Sequence, residues 1–274
     1  MFTIVAGTGY TGQRVLEQLP TDSAIGLGRT SIKTARPFTQ VDFDTMESLP
    51  VSLPDRYAVL YTCPPDDDHD TRLQRFLSLL TPVPARFVYI STTGVYGDLR
   101  GATATEETPV DPGSRIARRR ITAEKIVASG AVNSGCDLVI LRVPGIYGPG
   151  RLGEDRLQKD VAFLKEEDAR PGNRIHVDDL ASCCIAALAE STPTGIYNVG
   201  DGVHHSATWF ADEVARQAAL PAPRKISLAQ AEVEFPPMRL AFLASSRIVD
   251  TAKMREVLGI TPRGPEQGIS DSLT

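Results

Sequence analysis

Two periods of hydrophobic residues alternate along the first two thirds of the chain. Short apolar runs of strand length give way to stretches in which apolar residues recur every three to four positions. The run from Phe2 to Ala6 is apolar and β-branched and ends in glycines, after which Val15, Leu16 and Leu19 share one helical face. Further strands are expected at Ala24 to Gly28, Gln40 to Phe43, Tyr57 to Thr62, Phe87 to Ile90, Cys136 to Arg142 and Gly195 to Gly200. Between them fall helices: one opened by Asp66, Asp67 and Asp68 with Leu73, Phe76, Leu77 and Leu80 turned inward, and one from about Arg115 to Ser129. A third, Ala-rich helix is capped by Asp178 and runs to about Glu190.

Nearly continuous apolar strands separated by helices are the signature of a parallel sheet covered on both faces. The expected fold class is therefore α/β, a Rossmann-type doubly wound parallel sheet with a smaller C-terminal lobe. The sheet domain should occupy residues 1–150, with 174–200 returning to it. Past residue 150 the alternation breaks, and 151–173 and 201–274 are assigned mainly to the lobe. There a helix begins at Thr208, Pro221 to Pro237 reads as irregular, and Ser245 to Leu258 reads as a cap and helix stopped by Gly259.

The first strand–helix junction, Gly7-Thr8-Gly9-Tyr10-Thr11-Gly12, carries the sharpest chemistry. Gly7 permits a sharp turn, Gly9 lets a ligand's pyrophosphate approach the backbone, and Gly12 lets the helix pack closely on the strand. An anion would sit at the helix N-terminus, where free N–H groups and the helix dipole favour negative charge. The second strand ends in Arg29-Thr30, where a dinucleotide fold that reads a ribose diol would place an acid. An arginine suits a 2′-phosphate instead, so NADP is preferred and NAD is the alternative. Asp42 falls where such folds meet adenine, or it caps a turn. Cys63 and Pro64 begin a proline-stiffened loop beside the expected phosphate and ribose positions.

The 274 residues, 42% of them hydrophobic, suffice for a large core, and the net charge of -5 argues against a nucleic-acid partner. No apolar run approaches the roughly 18 residues that cross a bilayer. With no basic flank at the N-terminus, a cytoplasmic protein without membrane partners is expected. Cys63, Cys136, Cys183 and Cys184 lack metal-knuckle spacing and read as buried thiols, and the four histidines show no i, i+4 pairing, so no metal is assigned.

In order, these segments resemble the extended and atypical short-chain dehydrogenase/reductases, specifically the NAD(P)-dependent epimerase/dehydratase family. The resemblance spans nearly the whole chain and rests on four blocks: Gly7 to Gly12, Ser91 to Gly97, Arg142 to Gly150 with its Tyr-Gly-Pro-Gly, and His176-Val177-Asp178-Asp179. It implies a catalytic hydroxyl at Thr92, three residues before Val95-Tyr96-Gly97, and a cofactor contact at Pro144 and Gly145. Family enzymes also carry Tyr-x-x-x-Lys on the next helix, in which the tyrosine moves the proton and the lysine holds the nicotinamide ribose. Anchored on Ala123-Glu124, that motif falls on Ile116 and Arg120. Isoleucine carries no proton. Arg120 retains the capacity to donate to ribose hydroxyls.

Two functions of different class follow. One is an oxidoreductase or epimerase acting on a sugar or nucleotide-sugar by nicotinamide hydride transfer, with Tyr96, Tyr147 or His176 as stand-in proton carriers and Arg151 and Arg174 facing an anionic substrate group. The other is a non-catalytic NADP(H)-binding redox sensor or regulator, which accounts directly for Ile116. The resemblance also implies a homodimer paired through the Arg115 helix, although its arginine-rich surface weighs against that.

Overall fold

The computed structural model describes residues 1–274, apart from the side chains of Ala241 and Phe242. Its centre is a sheet of seven parallel strands. They are β1 (Phe2–Ala6), β2 (Ala24–Gly28), β3 (Phe38–Gln40), β4 (Tyr57–Tyr61), β5 (Arg86–Thr92), β6 (Asp137–Val143) and β7 (Gly195–Asn198). Their spatial order is β7-β6-β5-β4-β1-β2-β3, so the strand order reverses between β1 and β4. Val5, next to the C-terminal end of β1, is paired with Leu60 on one side and Gly26 on the other. At such a reversal, helices leave the two strands toward opposite faces and open a crevice at the strands' C-terminal ends, the position where α/β sheets bind ligands.

Each face of the sheet buries its own apolar layer. Helices α1 (Tyr10–Gln18) and α4 (Val177–Leu188) cover one face through Val15, Leu16, Leu180, Cys183 and Cys184. Helices α2 (Thr71–Ser78) and α3 (Arg115–Ser134) cover the other through Leu73, Phe76, Ala123 and Val127. Leu16, fully buried between sheet and α4, is the kind of side chain whose truncation to alanine costs about 2–5 kcal/mol. All four cysteines are free, and Cys63, Cys183 and Cys184 are buried. Among the described residues no helix is long and apolar enough to cross a membrane.

Several element boundaries differ from the sequence expectation. The third strand lies at Phe38–Gln40, before Asp42, because Asp42 turns the chain by accepting from the Asp44 N–H at 3.0 Å. Helix α2 starts at Thr71, capped by Asp70, whose side chain accepts from Leu73. Helix α4 is capped by the His176 ring, which accepts from Asp178 N–H, so Asp178 sits in the first turn and is not the cap. Pro221 to Pro237 is more regular than expected, with a short strand Lys225–Ile226 and a helix Leu228–Glu234. Residues 245–258 hold a short strand, Ile248–Val249, and a wide-turn helix, Met254–Leu258, ended by Gly259 in the left-handed region.

Outside the main sheet the chain builds three small parallel strand pairs. Gly145–Tyr147 pairs with Arg174–His176, Phe163–Leu164 with Lys225–Ile226, and Thr103–Ala104 with Ile248–Val249. Helices α5 (Ala207–Gln217) and α6 (Pro265–Leu273) close over Tyr147, Phe210, Val214 and Ile269, a cluster separate from the two sheet layers.

Candidate functional site

At the switch point, β1 ends in a turn that only glycine can make. Gly7 has φ +97°, and a Cβ there would stand 2.6 Å from Thr62 Oγ1 and 2.8 Å from Cys63 Sγ. At Gly12 a Cβ would overlap the Gly7 carbonyl oxygen, so helix and strand touch backbone to backbone. Gly9 differs from both: a Cβ there would meet nothing within 4 Å. Gly9 is also the N-cap of α1; it supplies no side-chain cap, and no acid occupies the helix's first turn. No side chain among the described residues accepts from the first N–H groups of α1 at the cap. Thr8 lies between, 6% exposed, and its hydroxyl has no partner among the described residues.

A cavity of about 200 Å³ runs from Gly7, Thr8 and Gly9 past Gly28, Arg29 and Thr30 to Asp42, Asp44, Cys63, Pro64 and Arg72. Eight residues that the sequence singled out for a dinucleotide thus line one space. Asp44 and Arg72 were not foreseen. Arg72 grips Asp44 through two donors at 2.5 and 2.9 Å, which holds the carboxyl below the usual range, and Arg29 stands 3.6 Å from the same carboxylate with its side chain 68% exposed. Nothing in the spacing of Asp44 and Arg72 marks them as a pair, since they meet across 28 residues.

The other end of the crevice lies over β5 and the start of α3. Thr92, half-buried at the end of β5, accepts from Gly94 N–H at 3.1 Å and caps the turn that follows. Ile116 is the second residue of α3 and is 74% exposed. Arg120, one turn further, lies across two strand ends: its Nη1 is 2.9 Å from Ile90 O, 3.1 Å from the Tyr89 hydroxyl and 3.3 Å from Cys63 O.

Four residues expected in chemical roles are tied into the interior. Tyr96 is fully buried, donating to Asn198 at 2.7 Å and accepting from Arg142 at 3.0 Å, so its hydroxyl already has both a donor and an acceptor partner. Burial pushes that phenol further up. His176 is 1% exposed, with one ring nitrogen capping α4 and the other 3.1 Å from Ser272 Oγ; burial lowers its pKa. Arg174 donates to the His205 and Ser206 carbonyls at 2.7 and 3.1 Å and lies over the Phe210 ring, so it clasps the lobe and does not face an anion. Tyr147 is likewise buried, against Gly268, and burial raises its pKa.

Pro144 and Gly145 join β6 to the next short strand, where Gly145 N–H donates to Asn173 O at 3.3 Å. Arg151 is exposed and stacks on the ring of Tyr10. Among the described residues no group of three or more His, Cys, Asp or Glu side chains is gathered as for a metal ion.

Residues 72–200 match the sequence model of the NAD dependent epimerase/dehydratase family. A dTDP-glucose 4,6-dehydratase of Streptomyces griseus is 26% identical over 126 residues, 43% of this chain and 38% of that protein. The chain spans well under half the length of the first curated relatives that it matches. Among solved structures, a functionally unknown conserved protein from Silicibacter pomeroyi superposes with a TM-score of 0.79 at 24% identity, over 100% of this chain and 98% of that one. The UDP-glucose 4-epimerase of Thermus thermophilus, solved with NAD, superposes with a TM-score of 0.77 at 20% identity, over 100% and 98%. These structural likenesses establish the shared fold.

Proposed function

We propose that this chain, whose residues 72–200 match the sequence model of the NAD dependent epimerase/dehydratase family, is an NADP-preferring oxidoreductase or epimerase acting on a sugar or nucleotide-sugar. The observation that carries the reading is the turn at Gly9: backbone donors without acceptors, a buried threonine hydroxyl without a partner, and open space above them. Unpaired buried polar groups are costly, and a dinucleotide's phosphates and ribose would satisfy these.

The residues present fit the cofactor. Gly7 to Gly12 would hold the pyrophosphate, Asp42 the adenine edge, and Arg29, loosely paired and largely exposed, a 2′-phosphate. The nicotinamide would supply the hydride acceptor or donor. Thr92 can donate to the oxygen of a substrate alcohol or carbonyl while its own oxygen stays fixed by Gly94 N–H. Arg120 takes the position of the family lysine with its Nη1 anchored to the strand ends, which leaves the rest of the guanidinium for ribose hydroxyls. Nucleotide-sugars are the substrate class named for the dehydratase relative and the epimerase structure.

A screen of nucleotide-sugars and small carbonyl compounds, with NADPH oxidation followed optically, tests the enzyme. Turnover that Thr92→Val abolishes supports it. Tight NADPH binding without turnover of any class favours the second reading, a sensor of NADP(H). That alternative rests on Ile116, a solvent-facing isoleucine where family enzymes carry the proton-transferring tyrosine.

A further inference from the structure

Arg151 carries a charge that no acid balances: no ion pair among the described residues includes it. Its guanidinium carbon lies 4.0 Å from the centroid of the Tyr10 ring. Tyr10 is the first residue of α1, so the guanidinium lies against the side chain that opens a helix with neither a side-chain cap nor an acid in its first turn. A cation there is disfavoured by the helix dipole. Arg14, one turn further along, adds a second positive charge, and its acid, Asp178, stands 3.6 Å away.

The arrangement is held, not incidental. Tyr10 donates its hydroxyl to Pro149 O at 3.1 Å, and a Cβ on Gly148 would come within 2.6 Å of the Tyr10 hydroxyl oxygen. The loop carrying Arg151 is thereby fastened to the ring over which the guanidinium lies. An independent observation concerns the same turn: Thr8, which lines the adjoining cavity, is only 6% exposed, and its hydroxyl, packed beside Gly28, has no partner among the described residues.

We propose that Arg151 is a ligand of the cofactor's pyrophosphate, held on the Tyr10 ring as on a platform, and is not the substrate-binding residue that its place in the sequence suggests. A planar guanidinium matches two oxygens of a diphosphate, and the ring fixes its plane. This inference rests on the dinucleotide reading above. It also gives the loop a second purpose, because the chain that leaves the sheet for the smaller lobe is pinned beside the phosphates.

The test is calorimetric titration of wild type, Arg151→Ala, Arg151→Lys and Tyr10→Phe with NADH, NADPH, ADP and adenosine at two salt concentrations. Arg151→Ala is expected to weaken both dinucleotides and ADP by about ten-fold or more, with adenosine unchanged and a shallower salt dependence. Arg151→Lys should recover part of the loss, and Tyr10→Phe, which frees the loop but keeps the ring, should show a smaller one. Unchanged ADP and dinucleotide affinity in Arg151→Ala overturns the proposal, as does an effect confined to the KM for a substrate. If wild type binds no dinucleotide, the underlying reading falls and this proposal with it.

Discussion

The two ends of the crevice handle polar groups in opposite ways. Around Gly9 the helix donors, the Thr8 hydroxyl and the Arg151 charge lack balancing partners among the described residues. Around β5 the polar side chains satisfy one another: Arg142 holds Glu124 through two donors at 2.8 and 3.2 Å, Ser91 donates to the same carboxylate, and Arg142 and Asn198 fix Tyr96. A buried polar group costs free energy until it is paired. On the proposed reading, the saturated end is architecture and the unsaturated end is the surface that takes the charged ligand.

The largest test of that contrast removes a partner at the saturated end. Glu124→Ala strands the Arg142 guanidinium in the interior and should destabilise the fold by about 3–5 kcal/mol in denaturant unfolding. A cost near zero would mean that the network is not what holds this region. At the unsaturated end, Gly9→Val should leave the melting temperature at the wild-type value while dinucleotide affinity falls at least about 100-fold, or about 2.7 kcal/mol. Gly12→Ala, whose Cβ would press on the Gly7 carbonyl, should instead lower stability by about 1–3 kcal/mol. If both glycine variants behave alike, Gly9 does not mark the ligand's position.

Thr92→Val lies between the two ends. It should lower kcat about 100-fold while leaving the Kd for NADPH unchanged, as expected when a donor to the reacting oxygen is lost.

Asp70 extends the comparison through pH. It is fully buried, one carboxylate oxygen has no partner among the described residues, and burial raises its pKa to about 6. In the unfolded chain the group titrates near about 3.9. The folded carboxyl thus keeps its proton where the unfolded one has lost it, so its stabilisation is complete below about pH 4 and disappears as pH rises through about 6. Asp70→Asn should flatten that decline, which is worth about 3 kcal/mol; an unchanged pH profile would show that the free oxygen is solvated.

The smallest effect concerns cofactor choice. Arg29→Ala should reduce any preference for NADPH over NADH by about ten-fold, and a preference that survives would move the 2′-phosphate contact elsewhere.

The sequence alone determined the sheet and the turn. Apolar runs between glycines specify buried parallel strands, and Gly7, Gly9 and Gly12 state which backbone positions must turn or pack closely; both are local properties of period and backbone freedom. Tertiary structure decided the fate of nearly every polar side chain. Tyr96 meets Asn198 across 102 residues, His176 meets Ser272 across 96, and Arg174 reaches His205 across 31, so each is held by a partner that no local pattern announces. Arg151 and Tyr10 are brought together in the same way. Spacing along the chain says which residues can carry chemistry, whereas whether their hydrogen bonds and charges remain free depends on what the fold brings against them.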